Sequence, residues 1–194
     1  GAEGRLAAAY YGEDDQTLDF RTFQEHAAPD TTSDLLFKGA LDGASHSIYS
    51  GLIRVRPEAV RTRAHQTNRN VKLSPDAWAE SVPNLEIETD DVVCSHASTV
   101  SPVDEDQRFF LESRGVPTRV AERLLLEGFF QDVADASPVP AVAGILREAL
   151  AERLDRRTGP EFSKNGNGSA ATDSRPGGDG PAAADSDTSE GDAV

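Results

Sequence analysis

The order of apolar and polar positions divides the chain into a strand-rich part and a helix-rich part. In residues 1–98, runs such as Leu85-Glu86-Ile87-Glu88 alternate apolar and charged side chains, which is typical of strands with one buried face. Turn-forming residues separate these runs. The strands that the pattern predicts are 17–23, 35–41, 47–55, 85–89 and 92–96. The predicted turns are Asp42-Gly43, Ser50-Gly51, residues 68–70 and Pro83-Asn84.

The segments between these strands do not have the pattern of crossover helices. The pattern in residues 1–98 therefore argues against a doubly wound fold, which needs such helices between parallel strands. Many short strands with frequent turns are typical of a sandwich, a barrel or a β-solenoid. The pattern by itself does not choose among these three architectures.

Residues 99–157 are predicted to form three helices. Ser101, followed by a proline, is the expected N-cap of the first helix, and Gly115 is its expected stop. The second helix is predicted to begin near Pro117 and the third to span 140–157. Apolar residues recur at three- and four-residue steps in both, which indicates one buried face on each helix.

The composition changes again in residues 158–194. This segment has seven acidic and two basic residues and is rich in Gly, Ala and Ser. Such a composition buries too little apolar surface to offset the entropy of ordering the chain. We predict a disordered acidic tail that needs no specific partner.

The net charge of the chain limits the kinds of molecule that it can bind. The 194 residues include 34 Asp and Glu against 19 Lys and Arg, for a net charge of -15. This balance argues against binding to duplex nucleic acid or to an anionic membrane surface, because both require basic patches. The longest uncharged and largely apolar run, 136–146, is shorter than the ~20 residues of a bilayer span, so we expect no transmembrane helix.

The sequence contains no Met and begins without the features of a signal peptide. We therefore expect a processed chain or a fragment. Cys94 is the one cysteine, which excludes an internal disulfide and a closed four-cysteine metal site. A metal site in this chain would have to be open, shared with a partner, or built from His and carboxylates.

Cys94-Ser95-His96 is the main candidate for metal chemistry. In an extended strand, Cys94 and His96 project from the same face, and a thiolate with an imidazole could hold a soft metal. Two alternatives remain at this point. Cys94 could be a half-buried residue beside an ordinary surface histidine, or His96 could cap the junction between strand and helix.

The other notable side chains are predicted to be structural. Residues 65–70 are unusually polar, and a turn is a simpler explanation for them than a ligand role. We expect His26 and His46 to lie on the surface, because neither is near an acidic pair. Trp78 is predicted to be an apolar anchor under a loop.

Enzyme motifs fit the sequence poorly. It has no phosphate-binding glycine loop with a lysine and no serine elbow. Cys94 and His96 would point in parallel, so they do not form a nucleophile–base pair. Pairs such as Asp90-Asp91 are common in a chain this acidic and do not by themselves predict a glycosidase.

Several short motifs follow one another over residues 33–135. They are Leu36-Phe37-Lys38-Gly39-Ala40-Leu41, Ser50-Gly51-Leu52-Ile53, Gln66-Thr67-Asn68-Arg69-Asn70, Pro83-Asn84-Leu85-Glu86-Ile87, Asp91-Val92-Val93-Cys94-Ser95-His96, and Phe109-Phe110-Leu111-Glu112-Ser113-Arg114-Gly115. In this order they resemble the C-terminal part of the SufB/SufD family, the scaffold proteins of the SUF iron–sulfur cluster assembly system. Thr67 stands where SufB-like sequences carry a cysteine, and Cys94-Ser95-His96 is the SufD-like form. The chain departs from the family at Ala97, where a glycine is usual.

The resemblance implies a fold and a domain order. It implies that residues 1–98 are the C-terminal part of a right-handed parallel β-helix. Residues 99–157 would be a small helical domain that docks an ATPase, and 158–194 would be the disordered acidic tail.

The resemblance also implies partners and a site. A SufD-like chain would pair with a SufB-like scaffold, or with a second copy of itself, and would bind a SufC-like ABC-type ATPase. A transient iron–sulfur cluster would form at the scaffold interface, with His96 as a ligand and Cys94 as its neighbour or a second ligand. The chain itself would be a cytoplasmic, non-catalytic scaffold, with ATP hydrolysed by the partner. The sequence does not decide whether a flavin joins the complex.

Two other functions remain open from the sequence. One is a structural paralogue that binds the ATPase but holds no cluster. The other is a β-solenoid enzyme that acts on carbohydrates, which would need clustered carboxylates on one face of the solenoid.

Overall fold

Seven strands wind into two sheets in the computed structural model, which describes residues 1–137 and 139–158. The strands are β1 (Glu3–Gly12), β2 (Thr17–His26), β3 (Thr32–Leu41), β4 (His46–Val55), β5 (Thr62–Lys72), β6 (Trp78–Ile87) and β7 (Val92–Pro102). One sheet has the order β1-β3-β5-β7 and the other has the order β2-β4-β6, with every pairing parallel. Each turn of the chain adds one strand to each sheet, which confirms the predicted β-solenoid.

Adjacent turns are in register residue by residue. Tyr10 is opposite Gly39, and Gly39 is opposite Asn70. Because side chains alternate along a strand, every second residue points into the space between the two sheets. Leu35, Phe37 and Tyr49 form one buried cluster in this space, and the aromatic rings of Phe37 and Tyr49 lie 5.3 Å apart.

The interior is more polar than the sequence pattern indicated. Asn68 and Asn70 lie inside β5, and the hydroxyl of Tyr10 donates to Asn70 Oδ1 at 2.6 Å. The side-chain amide of Asn68 donates to Ser81 Oγ at 3.1 Å. The predicted turn at 68–70, and the turn role for 65–70, are therefore wrong, because these residues lie within β5 and their amides find partners on β1 and β6.

Two more predicted turns also fall inside strands. Ser50-Gly51 lies within β4 and Pro83-Asn84 within β6. Gly51 is required by close approach, since a Cβ there would lie 2.5 Å from Gln66 Nε2. Neither β1 nor β5 was among the predicted strands.

His26 is buried, contrary to the surface position predicted for it. Its Nδ1 is 2.7 Å from Thr31 Oγ1 and its Nε2 is 2.9 Å from Ser33 Oγ. Both ring nitrogens are thus used at the bend between β2 and β3. His46, in contrast, is exposed, as predicted.

Trp78 is not an anchor under a loop. It is the first residue of β6, its side chain is 45% exposed, and its ring contacts that of His46 in an edge-on geometry. In-register pairing with His46 places it on the solvent face of the three-stranded sheet.

Three helices follow the solenoid. They are α1 (Glu105–Glu112), α2 (Thr118–Ala136) and α3 (Pro140–Thr158), so the starts predicted for the second and third helices are confirmed. The predicted cap of the first helix is wrong, because β7 continues through Ser101 to Pro102. Asp104 is the N-cap instead, and its carboxylate accepts from the backbone N–H of Gln107.

The helices pack on the outer face of the four-stranded sheet near its β3 and β5 strands. Ala40 and Val71 form a buried cluster there with Leu126, Phe130 and Leu154. These side chains come from β3, β5, α2 and α3, so the contact joins the two parts of the chain. Burying such apolar surface is the dominant stabilising term in packing of this kind.

Lys38 on β3 links this strand to α2 through hydrogen bonds and an ion pair. Its side chain is only 4% exposed, and its Nζ donates to the carbonyl of Phe129 at 2.7 Å and to Asp132 Oδ2 at 2.6 Å. The ammonium also lies 4.9 Å from the centre of the Phe129 ring. A buried lysine needs such partners, because an unpaired buried charge is costly.

Among the helices that the structure describes, none is long and apolar enough to cross a membrane. The predicted acidic tail lies outside the described residues, except for its first residue.

The burial of His26 predicts a pH dependence of stability. Burial lowers the pKa of His26 from its ordinary value, so the folded chain holds it neutral while the unfolded chain takes up a proton below about pH 6.5. The contribution of neutral His26 to the free energy of unfolding is complete above about pH 6.5. It is lost as the pH falls through the lowered pKa of His26 in the folded chain. Between about pH 7 and about pH 5, where histidine titrates, the melting temperature of His26→Gln should fall by less than that of the wild type. The exposed control, His46→Gln, should behave like the wild type, and an equal acid sensitivity in all three proteins would contradict the assignment.

The Lys38–Asp132 pair predicts a second stability effect. Asp132→Ala removes the carboxylate from a buried ammonium and should lower the free energy of unfolding by about 1–2 kcal/mol. Asp135→Ala is a matched control on the same helix, because Asp135 pairs with Arg147 and both side chains are exposed. Such a pair contributes about 0–1 kcal/mol. Urea unfolding of the two variants measures the difference, and equal losses would contradict the role of Lys38.

Candidate functional site

The candidate site lies on β7, the last strand of the four-stranded sheet. β7 pairs with β5 on one side, and the described residues place no strand on its other side. Cys94 and His96 are separated by Ser95 in this strand, so they share one face, as predicted. The pairing sets Cys94 beside Ala64 and His96 beside Gln66, both of which are buried inside the solenoid. Both candidate residues therefore stand on the inner face at the end of the last turn.

Cys94 is half-buried. Its side chain packs against a buried cluster that includes Ile53, Val55 and Ala64. This burial raises the pKa of the Cys94 thiol, and a backbone hydrogen bond at Ala64 opposes the rise in part. At neutral pH, Cys94 is a thiol and not a thiolate, so it is not an activated nucleophile.

His96 is exposed, two residues further along the strand. In the described part of the chain, its ring makes no side-chain hydrogen bond or ion pair. The strand continues for six residues beyond it, and Asp104 caps the first helix. The alternative in which His96 caps the junction between strand and helix is therefore wrong.

The opposite face of β7 carries a different pair. His65 Nδ1 lies 2.7 Å from Ser95 Oγ, with Asp34 next to His65 in register. All three side chains are exposed. Because the sheet lies between them, His65 and His96 do not come together, and the described residues contain no group of three His, Cys, Asp or Glu side chains placed to hold a metal. Cys94 and His96 thus form a half-site with two potential ligands.

Sequence reasoning missed the surface around this half-site. β6 and β7 end their sheets, and both carry large apolar side chains that are exposed in the described chain. These are Val82 and Ile87 on β6, and Val93 and Val100 on β7. Unpaired strand edges with exposed apolar residues are sites where another chain can add. The signal in the sequence was the set of apolar residues on the last two strands. Val82 and Val93 are at outward-facing positions, and Ile87 and Val100 pair with the buried Val55 and Asn70.

Exposed apolar side chains also lie on two of the helices. Phe109 and Phe110 on α1, and Val142 and Ile145 on α3, are each more than half exposed. Phe110 also stacks on the guanidinium of Arg114, with 3.6 Å between the guanidinium carbon and the ring centre. We call this set the helical apolar surface.

Comparison with known proteins gives one consistent family. A family model described as SUF system FeS cluster assembly, SufBD core domain, matches residues 1–129. An iron–sulfur cluster assembly SufBD family protein of Mycobacterium leprae is 39% identical over 162 residues, which is 79% of this chain and 41% of the relative. The iron–sulfur cluster assembly protein SufD of Escherichia coli is 33% identical over 121 residues, covering 62% of this chain and 29% of that protein. SufD of Bacillus subtilis is 32% identical over 142 residues, which cover 73% of this chain and 32% of that protein.

The matched segment is therefore less than half the length of each of these curated relatives. The match to the family model includes the whole solenoid, with Cys94 and His96, and most of α2.

The environment of Cys94 predicts its reactivity. Because the thiol is half-buried and its pKa is raised, iodoacetamide should alkylate it more slowly in the folded chain than in urea at the same pH. Since the chain has a single cysteine, mass spectrometry of the intact protein gives the rate directly. A folded-state rate equal to the rate in urea would show that Cys94 is not packed against the interior cluster.

Proposed function

The chain belongs to the SufBD family of iron–sulfur cluster assembly proteins, and from this premise we propose that it is a SufD-like scaffold subunit. It pairs with a SufB-like scaffold through the ends of the two solenoids and binds a SufC-like ABC-type ATPase through its helices. The observation that carries the proposal is the half-site on β7. Cys94 and His96 stand together at the end of the solenoid, where a second chain can complete the ligand set.

The incomplete ligand set supports a shared site. Iron in clusters of this kind is bound through four positions, mostly by thiolates, with histidine replacing some of them in certain centres. Cys94 and His96 supply at most two of the protein ligands, and the described residues hold no third nearby. In the proposal, a nascent cluster is the cargo at the interface, and the partner scaffold supplies the remaining ligands.

The two residues have different tasks in this proposal. His96 is exposed, so it supplies a nitrogen ligand toward the partner without a prior rearrangement of the interior. Cys94 is a thiol with a raised pKa, so it must lose its proton when it binds iron. Binding of iron by Cys94 is therefore coupled to the release of a proton, which passes to solvent or to the partner.

The strand edges support pairing with a second scaffold. β6 and β7 present unpaired edges in the described chain, flanked by Val82, Ile87, Val93 and Val100. A partner that covers these edges also covers Cys94 and His96, since they lie on the same strand. The covered strand edges would then exclude water from the half-site as the two scaffolds associate.

The helical apolar surface supports docking of the ATPase. Its residues are exposed and differ from those that pack on the sheet, which are Leu126, Phe130 and Leu154 on α2 and α3. In this arrangement the chain hydrolyses nothing itself, and the ATPase partner supplies the energy. The proposed setting of the complex is the cytoplasm.

The first prediction from this proposal concerns His96. In a complex co-expressed without oxygen with SufB-like and SufC-like partners, His96→Ala should lower bound iron and sulfide several-fold, while subunit stoichiometry and melting temperature stay unchanged. His65→Ala is the matched control, because His65 lies on the opposite face of the same sheet and should leave iron unchanged. Iron and sulfide analysis of the purified complexes measures the effect.

The structural alternative makes the opposite prediction for the same complexes. If the chain is a paralogue without a cluster role, His96→Ala keeps a normal iron content. Normal iron with reduced thermal stability would make His96 a structural residue and would exclude it as a ligand.

The second prediction separates the two docking surfaces. Ile145→Asp places a charge on the helical apolar surface and should release the ATPase while the scaffold pair stays intact. Val93→Asp places a charge on the β7 edge and should weaken scaffold pairing while the ATPase stays bound. The two side chains are 66% and 54% exposed, so neither change disturbs the buried core. Affinity purification followed by quantification of each subunit tests this, and loss of the same partner in both variants would contradict the assignment of surfaces.

A further inference from the structure

Gln66 is a buried polar residue whose side-chain oxygen finds no hydrogen-bond donor inside the solenoid. Its side chain is 2% exposed, and its Oε1 has no hydrogen-bond partner. The side-chain nitrogen approaches Gly51, where a Cβ would lie 2.5 Å from it, so Gly51 on β4 of the facing sheet leaves room for this amide. A buried acceptor without a donor costs free energy, and native structures rarely keep one without a reason.

The pairing of strands places Gln66 beside His96. Gln66 and His96 are direct partners in the ladder between β5 and β7, and both stand on the inner face. Neighbouring strands lie about 4.8 Å apart, which is within reach of a hydrogen bond between two long side chains. In the described chain, neither Gln66 Oε1 nor the His96 ring has a side-chain partner.

A histidine that binds a metal through one ring nitrogen commonly donates its other ring N–H to an oxygen acceptor. That hydrogen bond fixes the orientation of the ring and selects the tautomer whose free lone pair faces the metal. An amide oxygen held in a buried position is suited to this task, because it stays uncharged and cannot itself donate.

We propose that Gln66 is the positioning residue for His96, and this inference rests on the proposed function. When a partner covers the β7 edge, the His96 ring turns inward and donates one N–H to Gln66 Oε1. The second ring nitrogen then presents its lone pair to the partner side, where the cluster is bound. The unsatisfied acceptor in the free chain is thus kept for a hydrogen bond that forms in the complex.

The test compares two glutamines. Gln66→Met removes the acceptor while keeping the length of the side chain. Gln24→Met is the matched control, because Gln24 Oε1 is also buried without a partner, and Gln24 is paired with Ile53 and not with a histidine. Both variants should fold with a melting temperature equal to or above that of the wild type, since each loses an unsatisfied polar group.

The readouts are the iron content of the complex and the nitrogen spectrum of the histidines. We expect Gln66→Met to weaken cluster retention by about tenfold, as removal of such an outer partner commonly does, and Gln24→Met to leave it unchanged. In the cluster-free complex, with only this chain labelled with ¹⁵N-histidine, the His96 ring should show one dominant tautomer that becomes mixed in Gln66→Met. The chain has four histidines, and the His96→Ala spectrum assigns the signal.

Three results are distinguishable. Loss of iron in Gln66→Met with a mixed His96 tautomer supports the inference. If His96→Ala lowers iron but Gln66→Met behaves like Gln24→Met in both readouts, Gln66 does not position His96 and the proposed function stands. If His96→Ala itself leaves iron unchanged, the proposed function fails first.

Discussion

The in-register stacking of parallel turns is the constraint on which this structure depends. Each residue of a strand sits directly above its counterpart one turn earlier, as Gly39 sits between Tyr10 and Asn70. Polar interior side chains are tolerated because the register gives them partners on neighbouring turns. The ladder ends at β6 and β7, where the next turn is lacking in the described chain. At that end His96 has no strand beyond it, and the oxygen of Gln66, its neighbour on β5, has no hydrogen-bond partner.

The helices are tied to the solenoid by contacts of a different kind. Leu126 and Phe130 pack on the outer face of the sheet, and the buried ammonium of Lys38 binds the carbonyl of Phe129 and the carboxylate of Asp132. This joint leaves the apolar residues of α1 and α3 exposed. The chain therefore presents two separate surfaces: a strand edge with a half-site, and a helical surface. We propose that the first surface binds a scaffold and the second an ATPase, so that the contacts between helices and sheet would connect the cluster site to the site of ATP hydrolysis.

The sequence predicted what depends on local pattern and motif. Alternation placed Cys94 and His96 on one face, and the ordered motifs predicted the solenoid and the helices. It failed where hydrogen-bond partners are not visible in the local pattern. The asparagines at 68 and 70 have turn propensity, yet they lie in a strand because Tyr10 and Ser81 bind them. His26 lacks acidic neighbours, but hydroxyl groups bind both of its ring nitrogens and it is buried. The open edges and the unsatisfied Gln66 oxygen follow from three-dimensional packing, which a single sequence does not display.

The central claim is that this chain contributes a nitrogen ligand to a cluster shared with another subunit. Pulsed electron paramagnetic resonance of the reduced complex tests it directly, with ¹⁵N-histidine incorporated into this chain alone. The account predicts a ¹⁵N hyperfine coupling to the cluster that is present with the wild-type chain and absent with His96→Ala. A cluster of normal content that shows no ¹⁵N coupling from this chain would contradict the claim.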